Sequence, residues 1–156
     1  MKASEVSLNN FLSQTKTQFI IPVYQRNYDW SEEQCRQLFY DIIEVGSKPG
    51  NTHFIGSIVF IHEGVYTSSE VKQLVVIDGQ QRLTTFSLLY LALYRFAAEN
   101  GLEEKAAEIN DTFLINKYAK EDSNKLKLKQ SANNAKAFKY LLSNNNPNQY
   151  SEFSKV

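Results

Sequence analysis

The sequence predicts an α+β fold, a small mixed sheet with packed helices, and two kinds of pattern predict it. Apolar, β-branched runs of strand length occur at residues 19–21, 53–62 and 74–77, and helix-period apolar stripes run through residues 35–45 and 83–93. Gly, Pro and Asn clusters punctuate the junctions between them. At 156 residues, 42% hydrophobic and 13% aromatic, the chain can bury one good core, so a single domain or most of one is expected.

Charge and cysteine content narrow the classes. The formal charge is zero, from 17 basic and 17 acidic residues, yet residues 115–156 carry eight basic against three acidic groups. That local excess suits a polyanion, though a solvated lysine-rich face is the commoner explanation. A single cysteine, Cys35, excludes an internal disulfide framework, and no Cys/His cluster with zinc spacing occurs. The N-terminus lacks the apolar core of a signal peptide and no run reaches the ~20 residues of a membrane span, so a cytoplasmic protein with no membrane partner is the default.

Taken in order, Ser7 to Gln14 reads as one or two helical turns with Leu8, Phe11 and Leu12 on one side. Phe19-Ile20-Ile21 is a short strand stopped by Pro22, which has no N–H for a sheet ladder. The following Val23-Tyr24-Gln25-Arg26-Asn27-Tyr28-Asp29-Trp30 mixes aromatics with amide, guanidinium and carboxylate groups in a loop, where binding residues are often displayed. Tyr24 and Trp30 would serve equally as core plugs, with ring buried and polar edge satisfied. Gln25 and Arg26 bring hydrogen-bonding groups that an apolar core does not need, which favours a ligand role.

Ser31-Glu32-Glu33-Gln34 has capping-box spacing, and Cys35, Leu38, Phe39, Ile42 and Ile43 then recur at helical spacing, so a helix to about Val45 with one buried stripe is expected. Cys35 reads as a small core residue rather than a nucleophile. His53 to His62 reads as a largely buried strand, with Gly56 marking a bulge or a close approach; the two histidines read as solvated or hydrogen-bonded before either reads as a base. Residues 63–70 form an expected hairpin loop. Further on, Asn100-Gly101 signals a helix stop, and Leu102, Ala106, Ile109 and Phe113 mark a second amphipathic helix. Lys125, Lys127 and Lys129 alternate with leucines, placing three lysines on one face or edge, as edge guards or as a phosphate contact. Ser131 is a candidate cap for a last helix carrying Ala135, Phe138, Leu141 and Leu142, ahead of a polar tail from Asn144. Tyr150 and Phe153 lie beyond that tail, which suggests the front part of a longer protein.

The densest chemistry lies at Val75-Val76-Ile77-Asp78-Gly79-Gln80-Gln81-Arg82-Leu83-Thr84-Thr85. A buried strand stops at Asp78-Gly79 and a helix begins, carrying Leu83, Phe86, Leu89, Tyr90 and Leu93 on its apolar side. The junction delivers a carboxylate, two amides and a guanidinium to a helix N-terminus, whose free N–H groups and partial positive charge suit phosphate. Gly79 permits a backbone shape or a ligand approach that a Cβ would obstruct. A plain helix capped by Asp78 would also place these residues in its first turn.

Three separated stretches, Ile21 to Trp30, Phe54-Ile55-Gly56-Ser57-Ile58-Val59, and Val76 to Thr85, resemble in order and spacing the N-terminal domain of GmrSD-type, modification-dependent restriction proteins. The resemblance covers roughly residues 7–95 and implies a ParB/sulfiredoxin-like nucleotide-binding core over residues 1–100. Residues 101–156 then form a helical extension, the start of a larger helical region. It further implies binding and hydrolysis of a nucleoside triphosphate with Mg2+ through the Asp-Gly-Gln-Gln-Arg motif. The domain would be coupled to DNA through the full-length protein and to a nuclease domain or subunit absent from this chain, and an oligomer is compatible with it. Neither His53 nor His62 sits in an HNH-type cluster, so strand cleavage by this chain is not expected, and no G-x-x-x-x-G-K-[ST] loop occurs.

On that resemblance the expected catalytic residues are Asp78, Gln80, Gln81 and Arg82, and the expected nucleotide-binding residues are Tyr24, Gln25, Arg26, Gly79, Thr84 and Thr85. Phosphoryl transfer needs charge neutralisation and placement more than covalent chemistry. Arg82 and Arg26 would clamp phosphate oxygens; Asp78 would hold Mg2+ or orient water; Gln80 or Gln81 would position that water; Thr84 or Thr85 would add a hydroxyl. Tyr24, Tyr28 or Trp30 would stack on the base. The competing reading is a non-catalytic ParB-like module that binds DNA or a protein partner with the same groups.

Overall fold

The structure is a computed structural model that describes residues 4–62, 71–143 and 149. Its architecture is α+β, as the sequence predicts: a four-stranded mixed sheet with helices packed on it. The elements are α1 (Leu8–Leu12), β1 (Thr17–Ile20), α2 (Glu32–Ser47), β2 (Val59–His62), β3 (Lys72–Asp78), α3 (Gln80–Glu99) and α4 (Glu103–Ile109). A π-helical turn (Asn110–Leu114) and a 3-10 turn (Asp122–Asn124) lead to β4 (Leu128–Lys129) and α5 (Ala132–Leu142). The sheet order is β2-β3-β1-β4. β1 pairs in parallel with both β3 and β4, and β2 runs antiparallel along β3.

Burial of one apolar set explains this order. Phe11 and Leu12 of α1, Phe19 of β1, Leu74 and Val76 of β3, Leu83 and Phe86 of α3, Leu128 of β4, and Ile21 form the core. Each such side chain contributes about 1.5 to 3 kcal/mol when taken out of water. β1 lies between two parallel neighbours, and there Thr17, Gln18 and Phe19 are all buried, so a short central strand reads as a continuous buried run. The Gln18 amide is satisfied at both ends: Nε2 donates to Ser123 O (2.9 Å) and Leu126 O (2.8 Å), while Oε1 accepts from Gln73 (3.2 Å). Asn116 likewise donates to Thr17 O and Asn124 O. These amides carry the loop ahead of β4 onto the sheet, so the chain after residue 100 contributes a strand as well as helices.

Several local expectations hold. Ser7 accepts from Asn10 N at the start of α1, and Ser31 with Gln34 forms a complete capping box on α2. Gly101 takes a left-handed conformation (φ 72°) after α3, where Leu102 N reaches back to Ala97 O.

Four expectations are corrected. α2 has no buried residue: Leu38 alone of its stripe packs partly against the core, while Phe39, Ile42 and Ile43 are exposed, because among the described residues no second layer covers that side. The 53–62 run is strand only from Val59 to His62, and all four strand residues are exposed. Gly56, at φ 89°, turns the chain out of the extended conformation, and β2 is a sheet edge with an irregularity between Val59 and Phe60. Lys127 does not share a surface with Lys125 and Lys129. It is 4% exposed, and its Nζ donates to Leu12 O (3.1 Å) and Gln14 O (2.9 Å) beyond α1. Ser131 occupies the first position before α5 but makes no capping bond, and its hydroxyl is buried without a partner among the described residues. The expected loop at 63–70 and the tail residues Asn144, Tyr150 and Phe153 lie outside the described residues.

Two predictions follow from this packing. Burial holds the Lys127 ammonium down, to a pKa of about 8 from 10.5. The folded protein therefore binds fewer protons than the unfolded chain between those values, and stability rises with pH across that interval. Relative to Lys127→Met, the parent should gain on the order of 1 to 3 kcal/mol between pH 7 and pH 9.5 in urea unfolding, since the two carbonyl acceptors offset part of the burial penalty; parallel stability curves for the two proteins would contradict this. At the β3–α3 junction, a Cβ on Gly79 would sit 3.3 Å from both Ile58 Cα and Ser57 O at a φ of +94°. Gly79→Ala should lower stability by roughly 2 to 4 kcal/mol, read from the urea midpoint.

Candidate functional site

Residues 77–82 act as a hinge between strand and helix. β3 ends at Asp78, Gly79 turns left-handed (φ 94°, ψ 9°), and α3 begins at Gln80 without a side-chain cap. Its first helical bond runs from Leu83 N to Gly79 O (3.0 Å), so the helix does not consume the amides of residues 80–82. Asp78 therefore does not cap α3. Its Oδ2 instead meets Arg82 Nη2 at 3.4 Å, one turn along, with the carboxylate side chain 63% exposed and the arginine 24%. The same guanidinium donates through Nη1 to Ile55 O (3.1 Å) and fills the place where a Cβ on Gly56 would stand. The glycine anticipated as a point of close approach is thus the seat of Arg82.

Opposite this junction runs the loop from Val23 to Trp30. Gln25 donates to Ile77 O (3.0 Å), fastening the loop to the end of β3. Gln81 works from the helix side: its Nε2 donates to Asn27 O (2.9 Å) and its Oε1 accepts from Asp29 N (3.1 Å). Tyr28 lies deeper. The Thr85 hydroxyl donates to Gln81 O (2.9 Å), so it accepts from the Tyr28 hydroxyl (2.9 Å), which in turn can accept the Cys35 thiol proton (3.2 Å). Burial, reinforced by the Cys35 contact, raises the Tyr28 pKa well above its usual value and keeps the hydroxyl neutral. Cys35 is thereby a structural partner of the loop, half-buried beside it.

A cleft of about 300 Å³ opens between loop and junction, lined by Gln25, Arg26, Trp30, Asp78, Gly79, Gln80, Gln81 and Arg82. Two cations face it. Arg26 pairs with Asp29 at 3.2 Å and Arg82 with Asp78, and in each pair the carboxylate is more than half exposed. Pairs this open to water hold weakly and can exchange a carboxylate for a phosphate. Gln80 is buried to 8% exposure yet makes no hydrogen bond among the described residues.

Three sequence-predicted residues lie elsewhere. Tyr24 is 71% exposed and does not line this cleft, so it is neither a core plug nor part of this wall. Thr84 and Thr85 are buried on the inner side of α3, where Thr84 accepts from Gln130 (3.2 Å) and Thr85 serves Gln81 and Tyr28. The hydroxyls of both threonines are thus taken up by interior partners and are not offered to the cleft. Sequence reading did not anticipate Asp29 as the counter-charge of Arg26 or Ile55 O as the anchor of Arg82; Gly56 was the available signal for the second.

Among the described residues no group of three His, Cys, Asp or Glu side chains is placed to hold a metal, and no helix is long and apolar enough to cross a membrane. Comparison with curated proteins returned no match. The model of the GmrSD restriction endonuclease N-terminal domain matches residues 8–156, nearly the whole chain. The cleft described above is therefore built from the stretches that first suggested this kinship, and the chain belongs to the GmrSD N-terminal domain family of restriction proteins.

Proposed function

We infer that this domain binds a nucleoside triphosphate in the cleft and hydrolyses it, so as to regulate DNA cleavage by a nuclease domain or subunit outside this chain. The observation that carries this reading is the pair of half-open arginine ion pairs facing one cleft over the uncapped N-terminus of α3. Together they offer fork-shaped donors and unused backbone amides to an anion of several charges.

In this reading Arg26 and Arg82 release their carboxylates to grip phosphate oxygens, and the N-terminus of α3 faces the same group. Asp78 becomes the free carboxylate of the site. A magnesium ion needs near-octahedral oxygen ligands and commonly takes one or two carboxylates with the substrate's own phosphates. One exposed carboxylate fits that need, so Asp78 would hold an ion that arrives with the nucleotide and neutralises charge on its phosphates. Gln80, whose amide has no internal partner, is better placed to orient water than Gln81, whose amide is engaged at both ends by the loop. Gln81 then acts as a positioning residue. Hydrolysis joins the water oxygen to the terminal phosphorus while the bridging P–O bond breaks, and the arginines stabilise charge on the transferred group.

The test is phosphate release by purified protein with each of four triphosphates and Mg2+. Asp78→Ala and Arg82→Lys should each lower turnover by roughly a hundredfold or more, the loss typical of one transition-state contact, while circular dichroism remains that of the parent. A folded parent without turnover, or an Asp78→Ala protein as active as the parent, would refute the assignment. DNA binding that needs no nucleotide and weakens steeply with salt would point instead to a backbone-binding module.

A further inference from the structure

A second hollow lies beside the phosphate cleft and shares two of its walls. It has a volume of about 330 Å³, at the low end for small-ligand pockets, and is bounded by Trp30 and Arg82 together with Leu38, Phe54 and Phe86. At its rim stands Asp41 of α2, 25% exposed, whose Oδ1 accepts from Gln37 Nε2 at 2.8 Å and whose Oδ2 lies 3.7 Å from His53 Nε2. Phe54, 85% exposed, hangs over this rim without a packing partner in the core. Aromatic and aliphatic walls with a carboxylate at the rim, between Gln37 and His53, are what an aromatic ring bearing N–H donors would need, and the polar cleft next door is where its phosphates would lie.

We propose that this groove receives the base of the nucleotide and that Asp41 selects guanine. The inference rests on the triphosphate reading given above and adds the identity of the base. Asp41 Oδ2 has His53 Nε2 beside it at 3.7 Å, longer than a hydrogen bond, and Oδ1 retains a second lone pair beside Gln37, so the carboxylate can accept two parallel N–H bonds. Of the four common bases only guanine presents two adjacent donors on its pairing edge, the ring N–H and the exocyclic amine. Adenine and cytosine place a ring acceptor beside their amine, facing the carboxylate with a lone pair. Uracil has one N–H between two carbonyls. Trp30, common to both hollows, is the ring on which the base stacks, and Phe54 can close from the opposite side.

Binding is measured by equilibrium competition in the presence of Mg2+, with GTP, ATP, CTP, UTP, xanthosine triphosphate and inorganic triphosphate. GTP should bind at least about tenfold more tightly than the other three common nucleotides, the discrimination expected when a charged acceptor is left unpaired. Asp41→Asn should reverse the order of GTP and xanthosine triphosphate, because the new amide N–H pairs with the xanthine carbonyl that replaces the guanine amine. Retention of the parent's GTP-to-xanthosine-triphosphate ratio by Asp41→Asn overturns the proposal. Equal binding of all four nucleotides alongside inorganic triphosphate overturns it too, but leaves the phosphate site standing. Absence of binding by inorganic triphosphate and every nucleotide removes the phosphate site and this pocket together.

Discussion

The passage of residues 55–58 across the β3–α3 junction is the constraint on which the site depends. Gly79 comes so close to Ile58 and to the Ser57 carbonyl that a side chain would collide, and Gly56 leaves the space that the Arg82 guanidinium fills. Two glycines with positive φ, 23 positions apart by number, thus let one irregular segment lie against a strand end and a helix start. Without that contact Arg82 would lose the Ile55 carbonyl that aims it, and the long side chain would sample many rotamers at a cost of up to about 2 kcal/mol in entropy when a ligand fixed it again. Preorganisation of the guanidinium is the physical benefit of a tight junction.

A second set of bonds holds the facing wall. Loops expose backbone groups that need partners, and here side chains of α3 and the loop itself supply them: Gln81 to Asn27 and Asp29, Gln25 to Ile77, and Tyr28 to Thr85. The polar residues in the first turns of α3 therefore divide by their partners. Gln80 and Arg82 line the cleft, Gln81 lines it while fastening the loop, and Thr84 and Thr85 bond inside the fold. The amide of Gln81 and the hydroxyls of Thr84 and Thr85 cost little to bury because each is paired, and they fix the loop more specifically than an apolar contact would.

The remaining surface is less self-sufficient. α2 buries none of its residues, and β2 exposes all four of its own, so a helix face and a sheet edge that carry Phe39, Ile43, Phe60 and Ile61 stand in solvent. The core is concentrated instead around β1, whose two parallel neighbours come from far apart in the chain. Closing such long connections requires specific polar ties, and Gln18, Asn116 and Lys127 provide them by satisfying carbonyls that the short strands leave unpaired.

Local chemistry carried much of this into the sequence. Capping residues, glycine stops, the strand ended by Pro22 and the strand–turn–helix at Asp78-Gly79 are all legible because a few neighbouring residues decide them. The meeting of Gln25 and Arg26 with the junction was expected from the family resemblance of both stretches and not from local chemistry. What periodicity could not tell was how far each element is covered. Apolar content predicts a buried strand at 53–62 and a buried stripe on α2, but burial depends on whether another layer arrives, and none does among the described residues. Nor could it assign Thr84, Thr85, Gln81 and Lys127 to interior partners or seat Arg82 on Ile55, because each of those bonds joins residues tens of positions apart or more, or turns on the phase of one helix against a sheet that only the assembled chain defines.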